Sequence, residues 1–211
     1  MPKKTKIPNA TIERISLYAR PLEILLREGT SLISSEGLAD LCRVNPAQVR
    51  KDLSYFGEFG VRGVGYAVGD LLEEIRKILF ADRVWRLAIV GLGNMGTALV
   101  RQENFARRGY RFVAAFDSDP GKVGGEAIPG LRVHPLKDLQ TLVQEAGIEV
   151  GVIATPPSQA QNIADILVDA GIRAILNFSP ILIRQPQGTV VENVDFTVSL
   201  ENLAYRLSKV D

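Results

Sequence analysis

A glycine-rich turn holds the residues whose spacing most plainly suggests chemistry. The apolar run 87–90 is of strand type, and Gly91, Gly93 and Gly96 follow it with the spacing G-x-G-x-x-G before a helical segment begins. The first glycine permits a tight turn, the second lets a pyrophosphate approach the main chain, and the third lets helix and strand pack closely. The phosphates would lie at the N-terminus of that helix. The predicted cofactor contacts of this turn are Gly91, Leu92, Gly93, Asn94, Met95 and Gly96.

A carboxylate follows the second predicted strand, where the apolar run 112–116 ends in Asp117. A carboxylate at this place accepts hydrogen bonds from the hydroxyls of adenosine ribose and repels a 2′-phosphate, so Asp117 favours NAD over NADP. Two alternatives stay open, namely a glycine turn that serves packing alone and a site for another nucleotide such as coenzyme A.

A short polar helix supplies the second set of functional side chains. Ser34 is a good N-cap for a helix that ends near Cys42, and Asn45 followed by Pro46 predicts the start of another. Two short helices across a tight turn form a helix-turn-helix pattern. The second helix leaves polar side chains suited to phosphates and base edges, namely Gln48, Arg50, Lys51, Ser54 and Tyr55. Gln48 is also placed for a capping box. The alternative is a three-helix bundle with a solvated basic face.

The glycine-rich segment 57–66 cannot be helical, and it predicts a short β-hairpin with an exposed Arg62. A hairpin after a recognition helix would be a wing. The first 66 residues carry 10 Lys and Arg against 7 Asp and Glu, a net charge of +3, which favours an anionic partner.

Composition excludes several other classes of protein. The 211 residues are 46% hydrophobic and 23% charged, as in ordinary globular chains. A single histidine, His134, and a single cysteine, Cys42, argue against a histidine-based metal site and against a disulfide framework. We expect no metal, and neither a signal peptide nor a membrane span is visible, so a cytoplasmic protein is expected.

The elements that position these residues change character along the chain. Helical spacing of apolar residues dominates up to about residue 81, and short apolar strand runs then alternate with helices, which predicts a doubly wound parallel sheet. The fold class is therefore α/β plus a small α+β unit. We predict a winged-helix domain at 1–81, a Rossmann-like dinucleotide-binding domain at 82–196 and a C-terminal helix at 197–211. The strand ends at 154–157 and 177–180 should meet at the ligand crevice.

An enzyme is the less favoured interpretation. Beyond the dinucleotide fold only about residues 181–211 remain, too few for a substrate domain, and no catalytic triad or metal-ligand spacing is present. His134 is more often structural in such a place. The alternative is a small NAD-dependent oxidoreductase. The terminal helix carries an apolar stripe that packs either on its own subunit or on a second one, with a slight preference for the first.

Four segments together resemble the Rex family of bacterial redox-sensing transcriptional repressors. They are 49–57 (VRKDLSYFG), 62–66 (RGVGY), the glycine turn at 91–96 and 191–196 (VENVDF). The resemblance covers nearly the whole chain, and the first segment is highly specific.

The resemblance implies a homodimeric repressor that binds palindromic operators when apo or NAD-bound and leaves them when NADH binds. It implies DNA contacts in the recognition helix and the wing, with Gly63 and Tyr66 beside Arg62. It also implies that Thr155 and Asn177 line the NADH and NAD crevice. Phe196 would enter the nicotinamide pocket of the partner subunit, whose terminal helix is exchanged. Against the slight preference from sequence alone, the resemblance thus favours packing on the partner.

The same resemblance implies that Arg20 and Asp195 pair across the dimer in one of the two states. One residue departs from this expectation. Pro21 follows Arg20 directly, and a proline inside a helix kinks or ends it, which puts that pairing in question.

Overall fold

The computed structural model describes residues 7–61, 63–79 and 83–210. The chain divides into two compact units, Met1–Arg83 and Val84–Asp211, which are described separately below.

The N-terminal unit consists of four helices and a two-stranded antiparallel sheet in its described part. The helices are α1 (Asn9–Arg27), α2 (Ser35–Cys42), α3 (Pro46–Ser54) and α4 (Val68–Ile78). The strands are β1 (Leu32–Ile33) and β2 (Tyr66–Ala67). Residues of all four helices form one apolar core, in which Ile15, Leu22, Leu38 and Leu71 are almost fully buried.

Helix α1 continues through Pro21 to Arg27, so an end of the helix at this proline is not observed. Proline has no N–H to donate to the carbonyl four residues earlier, here that of Leu17. The thiol of Cys42 lies 4.0 Å from this Leu17 oxygen and is placed to donate a weak hydrogen bond to it. Burial raises the pKa of the Cys42 thiol, which keeps the donor protonated. Buried residues on both sides of the proline, such as Tyr18 and Leu22, hold the helix together by packing.

The predicted helix-turn-helix is confirmed by α2 and α3 and by the caps that bound them. The Ser34 hydroxyl accepts a hydrogen bond from the N–H of Gly37 (3.0 Å), and the Asn45 side chain accepts one from Ala47 (2.8 Å). Between the helices Arg43 adopts a left-handed conformation with φ 55°, which turns the chain sharply. Ser34 and Asn45 each satisfy an N–H group that the first turn of a helix leaves without a partner.

The predicted wing is smaller than a hairpin of two strands. Within the described part of 57–66, Val61 and Gly65 form an isolated antiparallel bridge, while Tyr66 instead belongs to β2 and pairs with Ile33 of β1. Gly65 has φ 107°, and a Cβ there would lie 2.5 Å from the carbonyl oxygen of Ile33. The close approach of β1 therefore requires glycine at position 65. Arg62 lies outside the described residues.

The C-terminal unit is a doubly wound α/β fold. Its sheet has the strand order β5-β6-β4-β3-β7-β8-β9 in the described residues, parallel throughout except for the pair β5–β6. The strands are β3 (Trp85–Val90), β4 (Tyr110–Phe116), β5 (Glu126–Ile128), β6 (Leu131–His134), β7 (Val150–Ile153), β8 (Ala174–Asn177) and β9 (Val190–Asn193). The helices are α5 (Asn94–Val100), α6 (Glu103–Arg107), α7 (Leu139–Glu145), α8 (Pro157–Asp169) and α9 (Phe196–Leu207).

Strand β3 lies between β4 and β7. The connections on the two sides of β3 therefore run in opposite directions, and the point of reversal lies at the carboxyl end of β3. Open parallel sheets bind ligands at such a switch point. The four strands predicted from apolar runs, β3, β4, β7 and β8, are confirmed, and their inward residues form the core with α7 and α8. The fold thus places the glycine turn at the edge where a dinucleotide would bind.

The C-terminal segment begins its helix earlier than predicted. Strand β9 ends at Asn193, and α9 starts at Phe196, one residue before the predicted helix of 197–211. The Asp195 carboxylate caps the helix by accepting hydrogen bonds from the Thr197 N–H (2.8 Å) and hydroxyl (2.6 Å). None of the residues of α9 is buried, and Leu200, Leu203 and Leu207 are each more than 60% exposed. The apolar stripe of α9 is therefore uncovered in the single chain.

Candidate DNA-recognition helix and dinucleotide cleft

Helix α3 separates its buried and exposed residues as a recognition helix requires. Val49 and Leu53 lie in the apolar core, whereas Arg50, Lys51 and Ser54 are exposed and Tyr55, just after the helix, is partly exposed. Gln48 is partly exposed as well, so all five polar side chains predicted on this helix reach solvent at least in part, where phosphates and base edges would be contacted.

Arg50 is held on the surface by residues at the start of α2. Its guanidinium donates to the Ser35 hydroxyl (2.9 Å) and lies 3.2 Å from the Glu36 carboxylate. The pKa of Glu36 is lowered, chiefly by a hydrogen bond from its own main chain, with smaller contributions from Ser34 and Arg50. Because Arg50 and Glu36 are both exposed, water screens their attraction, and Arg50 can exchange Glu36 for a phosphate at small cost.

An open groove of about 950 Å³ runs between the start of α2, the end of α3 and the segment 57–65. Ser34, Arg50 and Ser54 line it together with main chain of the wing segment, in which Gly63 is exposed with φ 83°. The Glu36 and Glu58 carboxylates also line the groove, so its cationic contact to a nucleic-acid backbone would come from Arg50.

Two residues predicted at the DNA have other surroundings in the structure. The side-chain amide of Gln48 donates to the buried carboxylate of Asp52 (2.8 Å) instead of capping the helix start, so the capping-box prediction is wrong. Tyr66 is only 8% exposed, and its ring packs in the core of the unit. A direct DNA contact from either residue stays a prediction, and the observed contacts give both a role in packing.

The glycine turn after β3 has the geometry that each predicted glycine role requires. Gly91 has φ 95°, and a Cβ there would lie 2.6 Å from the carbonyl oxygen of Ala154. A Cβ on Gly96 would overlap the carbonyl oxygen of Gly91. Gly93 is different, because nothing lies within 4 Å of the position of its Cβ. Gly91 and Gly96 therefore close the turn on itself, while Gly93 leaves open space at the start of α5.

Asp117 anchors this turn from the end of β4. Its carboxylate accepts hydrogen bonds from the N–H of Leu92 (2.8 Å), the N–H of Asp119 (2.9 Å) and the ammonium of Lys122 (3.1 Å). Burial raises the pKa of Asp117, but the hydrogen bonds from Asp119, Leu92 and Lys122 outweigh it and lower the pKa on balance. The carboxylate is thus held ionised beside the turn, with lone pairs left to accept from a ribose hydroxyl.

A cleft of about 410 Å³ joins the glycine turn to the ends of β4 and β7. Gly93, Asn94, Met95, Asp117 and Thr155 all line it. Within the described residues, the Thr155 hydroxyl is a buried side-chain oxygen that has no hydrogen-bond partner. Such groups are rare in proteins, and a ligand or a water molecule in the cleft would complete the bonding of this one. The open space at Gly93 and this hydroxyl fit a bound dinucleotide.

Two predicted cofactor residues serve the fold instead. The Leu92 side chain is buried, and its N–H is taken by Asp117. Asn177 is fully buried at the end of β8, where its amide nitrogen approaches three acceptors, the Ser179 and Ile181 carbonyls and the Asn193 side chain. Its oxygen accepts from the Ser179 N–H. Asn177 therefore fixes the loop after β8, and a direct contact with the cofactor stays a prediction.

Phe196 and Asp195 stand at the exposed start of α9. The Phe196 side chain is 55% exposed, and its ring centroid lies 6.4 Å from that of Phe178. The hydrogen bonds from Thr197 lower the pKa of Asp195. Arg20 is exposed on α1. The roles implied for these three residues require a second subunit and stay predictions.

No described helix is long and apolar enough to span a membrane. In the described part of the chain, no group of three or more His, Cys, Asp and Glu side chains could hold a metal ion.

Comparison with known families matches each unit separately. Residues 6–54 match a family described as the N-terminus of a putative DNA-binding protein, and residues 82–181 match a CoA binding domain. The redox-sensing transcriptional repressor Rex of Syntrophobacter fumaroxidans is 54% identical over 98% of both chains. This chain belongs to the Rex family. The resemblance seen in the sequence is thereby confirmed.

Solved structures of RSP, a Rex-family repressor, agree with this assignment. RSP in complex with β-NAD+ and operator DNA is 36% identical, with a TM-score of 0.90 over 97% of this chain and 94% of RSP. RSP in complex with β-NADH is 34% identical, with the same TM-score, over 97% of this chain and 96% of RSP. The predicted fold class is confirmed for this Rex-family chain.

Two functional contacts of this Rex-family chain were not predicted from its sequence. Lys122 pairs with Asp117 beside the cleft, and Asp52 is buried on the recognition helix beneath exposed Arg50 and Lys51. Lys122 lies five residues after Asp117 in a loop, a spacing that predicts no particular contact. Asp52 has one partner close in the chain, Gln48 four residues earlier on the same helix. Its other three partners lie on α1, 34 to 41 residues away, where local spacing does not reveal them.

Proposed function

We propose that this chain is a redox-responsive transcriptional repressor that binds operator DNA through α3 and the wing segment and leaves it when NADH binds. The observation that carries the proposal is the presence, in one Rex-family chain, of an exposed polar recognition helix and a glycine-lined cleft with an unpartnered Thr155 hydroxyl. The names and solved complexes of its relatives support both ligands.

The cleft residues divide the binding of NAD(H) among them. The open main chain at Gly93 and Asn94 faces the pyrophosphate, the Asp117 carboxylate accepts from the adenosine ribose, and the Thr155 hydroxyl bonds to the ligand deeper in the cleft. The bound group supplies the redox signal, since its nicotinamide ring is neutral when reduced and positively charged when oxidised.

We further propose that two copies of the chain assemble with their terminal helices exchanged, so that the dimer presents two α3 helices to a palindromic operator. The uncovered leucines of α9 support an apolar partner surface. In this arrangement Phe196 covers the partner's nicotinamide pocket, and Arg20 and Asp195 pair in one of the two states. An apolar ring over the pocket favours the neutral reduced ring, because burying an unpaired charge is costly.

A Phe196→Ala variant tests this last step. The variant should lower the ratio of the NAD+ dissociation constant to the NADH dissociation constant, measured by titration calorimetry. The contacts to adenosine should remain. An unchanged ratio would remove Phe196 from the redox discrimination.

The proposal itself is tested by titrating NADH into protein bound to a labelled palindromic promoter fragment. We expect release by NADH and none by NAD+. A Gly93→Val variant is the control, because Gly93 lines the cleft and nothing lies within 4 Å of the position of its Cβ, so that a side chain there occupies space that the ligand would use. It should bind the fragment and resist NADH. Binding that ignores both nucleotides in the unchanged protein would refute the redox response.

A second ligand has its own support, since residues 82–181 match a family described as a CoA binding domain. Competition separates the two candidates. Coenzyme A should fail to displace NADH from the cleft, and efficient displacement at equal concentrations would favour an acyl-carrier nucleotide as the effector.

We also propose that the chain does not turn over its cofactor, as its relatives are named repressors. Oxidation of NADH with small carbonyl substrates, followed by absorbance, is the test. Steady turnover would restore the alternative of a small NAD-dependent oxidoreductase.

A further inference from the structure

A fully buried carboxylate lies on the recognition helix itself. Asp52 belongs to α3, directly after the exposed Arg50 and Lys51, yet its side chain has no exposed surface. An ionised group in an apolar core is costly unless its bonding is complete. The hydrogen-bond partners of Asp52 therefore indicate the role of this residue.

The Asp52 carboxylate is bonded by side chains from two helices. From α1, Arg14 binds it in a bidentate manner (Nε–Oδ2 2.6 Å, Nη2–Oδ1 2.8 Å), and the Tyr18 hydroxyl donates to Oδ2 at 2.7 Å. Thr11 of α1 adds a longer bond to Oδ1 at 3.2 Å. From α3, the Gln48 amide donates to Oδ1 at 2.8 Å.

These bonds fix the charge of each member. Burial raises the pKa of Asp52, but the hydrogen bonds from Arg14, Tyr18 and Gln48 outweigh it, so the pKa is lowered. Burial and the bond to Asp52 raise the pKa of Tyr18, and the bond to Asp52 raises that of Arg14. The carboxylate stays an acceptor, and Tyr18 and Arg14 stay donors.

The bonds are directional, whereas the apolar contacts beside them are not. Val49 and Leu53 bury α3 against the core, but apolar burial alone tolerates a small rotation or shift of a helix. A bidentate arginine–carboxylate pair has a defined geometry. Apolar residues of similar size often stabilise a core as well as a buried ion pair does. Stability alone therefore gives no reason for a charge here.

We propose that Asp52 is a positioning residue for operator recognition: it fixes the rotation of α3 on α1 and thereby aims Arg50, Lys51, Ser54 and Tyr55 at the DNA without touching it. This inference rests on the proposed function, because it assumes that α3 reads the operator. It also assigns Gln48 to the support of Asp52 rather than to a base edge.

An Asp52→Asn variant tests the inference because charge and position predict opposite effects. Removing a negative charge from beneath a DNA-binding surface strengthens binding if only the electrostatic attraction to phosphates matters. If Asp52 aims α3, affinity for the operator falls about tenfold or more, while affinity for random DNA changes less than about threefold. Both are measured by fluorescence anisotropy at one salt concentration, below the melting temperature of every variant, and corrected for the folded fraction.

Glu23→Gln is the matched control. Glu23 also lies on α1 but pairs with Arg76 of α4 (3.5 Å), away from α3, so its loss should leave the preference for the operator unchanged. Tyr18→Phe removes one bond to Asp52 with little change of shape and should give a smaller loss of the same kind. This second variant keeps the test valid if Asp52→Asn does not fold. NADH affinity of the free protein should stay within about twofold in all three.

A double variant shows whether Gln48 supports Asp52 or contacts a base of the operator directly. If it acts through Asp52, Gln48→Met and Asp52→Asn together lose no more operator affinity than the worse single variant; if it contacts a base, the two losses add. Equal loss of operator and random DNA affinity in Asp52→Asn and Tyr18→Phe would overturn the inference, and so would no loss. Failure of the unchanged protein to bind any operator would refute the proposed function instead.

Discussion

The two units of this chain hold their functional surfaces by different means. In the C-terminal unit the glycine turn is shaped by main chain that approaches main chain, as at Gly91 and Ala154, and one carboxylate, Asp117, anchors it. In the N-terminal unit α3 is held by side chains from another helix, which meet at Asp52. The glycine turn requires glycine, because a side chain would collide with nearby main chain. The Asp52 cluster requires side chains that donate hydrogen bonds from defined positions. The two sites should therefore fail under different substitutions.

The largest effect is expected for Gly96→Ala. A Cβ there would overlap the Gly91 carbonyl oxygen, and neither main-chain segment can move without opening the turn. We expect the free energy of unfolding of the C-terminal unit to fall by at least about 3 kcal/mol. Gly93→Ala is the control, since the space is open and φ is −68°, and it should cost about 1 kcal/mol or less. Thermal unfolding measures both variants. Equal losses of unfolding free energy would contradict the claim that close main-chain contacts shape the turn.

A smaller effect is expected for Asp117→Asn, which replaces a charged acceptor of three hydrogen bonds by a neutral one. Hydrogen bonds to charged groups contribute about 1.5–3 kcal/mol, so a loss of stability in that range and a weaker affinity for NADH should accompany each other. Calorimetry of unfolding and of binding measures both. Full NADH affinity in a destabilised variant would show that the anchor matters for folding alone.

The same variant gives a pH dependence of known sign. The pKa of Asp117 is lowered in the folded protein, so its contribution to stability is present above the unfolded value of about 3.9 and is lost as the pH falls through the folded value. The difference in unfolding free energy between the unchanged protein and Asp117→Asn should therefore shrink below about pH 4. A difference that stays constant down to acid unfolding would contradict this.

The smallest effect, and one of opposite sign, is expected for Pro21→Ala. Alanine restores the N–H donor to the Leu17 carbonyl inside α1, and we expect a gain of about 1–2 kcal/mol, less than the full cost of an interior proline because alanine also frees the unfolded chain. Denaturant unfolding measures it. Cys42→Ala should cost less in the Pro21→Ala protein than in the unchanged one, since its thiol would no longer face an unpaired carbonyl. Additive effects would show that the thiol does not bond to Leu17.

The contrast between the units also explains what could be predicted from the sequence. The glycine turn, the apolar strands around it and the caps Ser34 and Asn45 are local features, so spacing alone revealed them. The strands β1, β2 and β5, of only two or three residues, are too short for a periodic signal. Helix α9 starts one residue before the predicted 197 because the Asp195 carboxylate caps it.

The inner partners of the sites could not be predicted in the same way. Asp52 lies 38 residues from Arg14 and 34 from Tyr18 in the chain, and it meets them only after α1 and α3 pack together. Asn177 and Leu92 follow strands in places typical of ligand contacts, yet their polar groups bond within the fold. The contacts of Asn177 and Leu92 with a cofactor therefore stay predictions, and their bonds within the fold were not visible in the sequence.

The most direct test of the central claim varies the redox ratio at a constant amount of nucleotide. Operator occupancy is followed by anisotropy while the total of NADH and NAD+ stays fixed and their ratio changes. We predict that occupancy falls as the NADH fraction rises, and that the Gly93→Val protein stays bound throughout. Occupancy that follows total nucleotide and ignores the ratio would contradict a redox-responsive repressor.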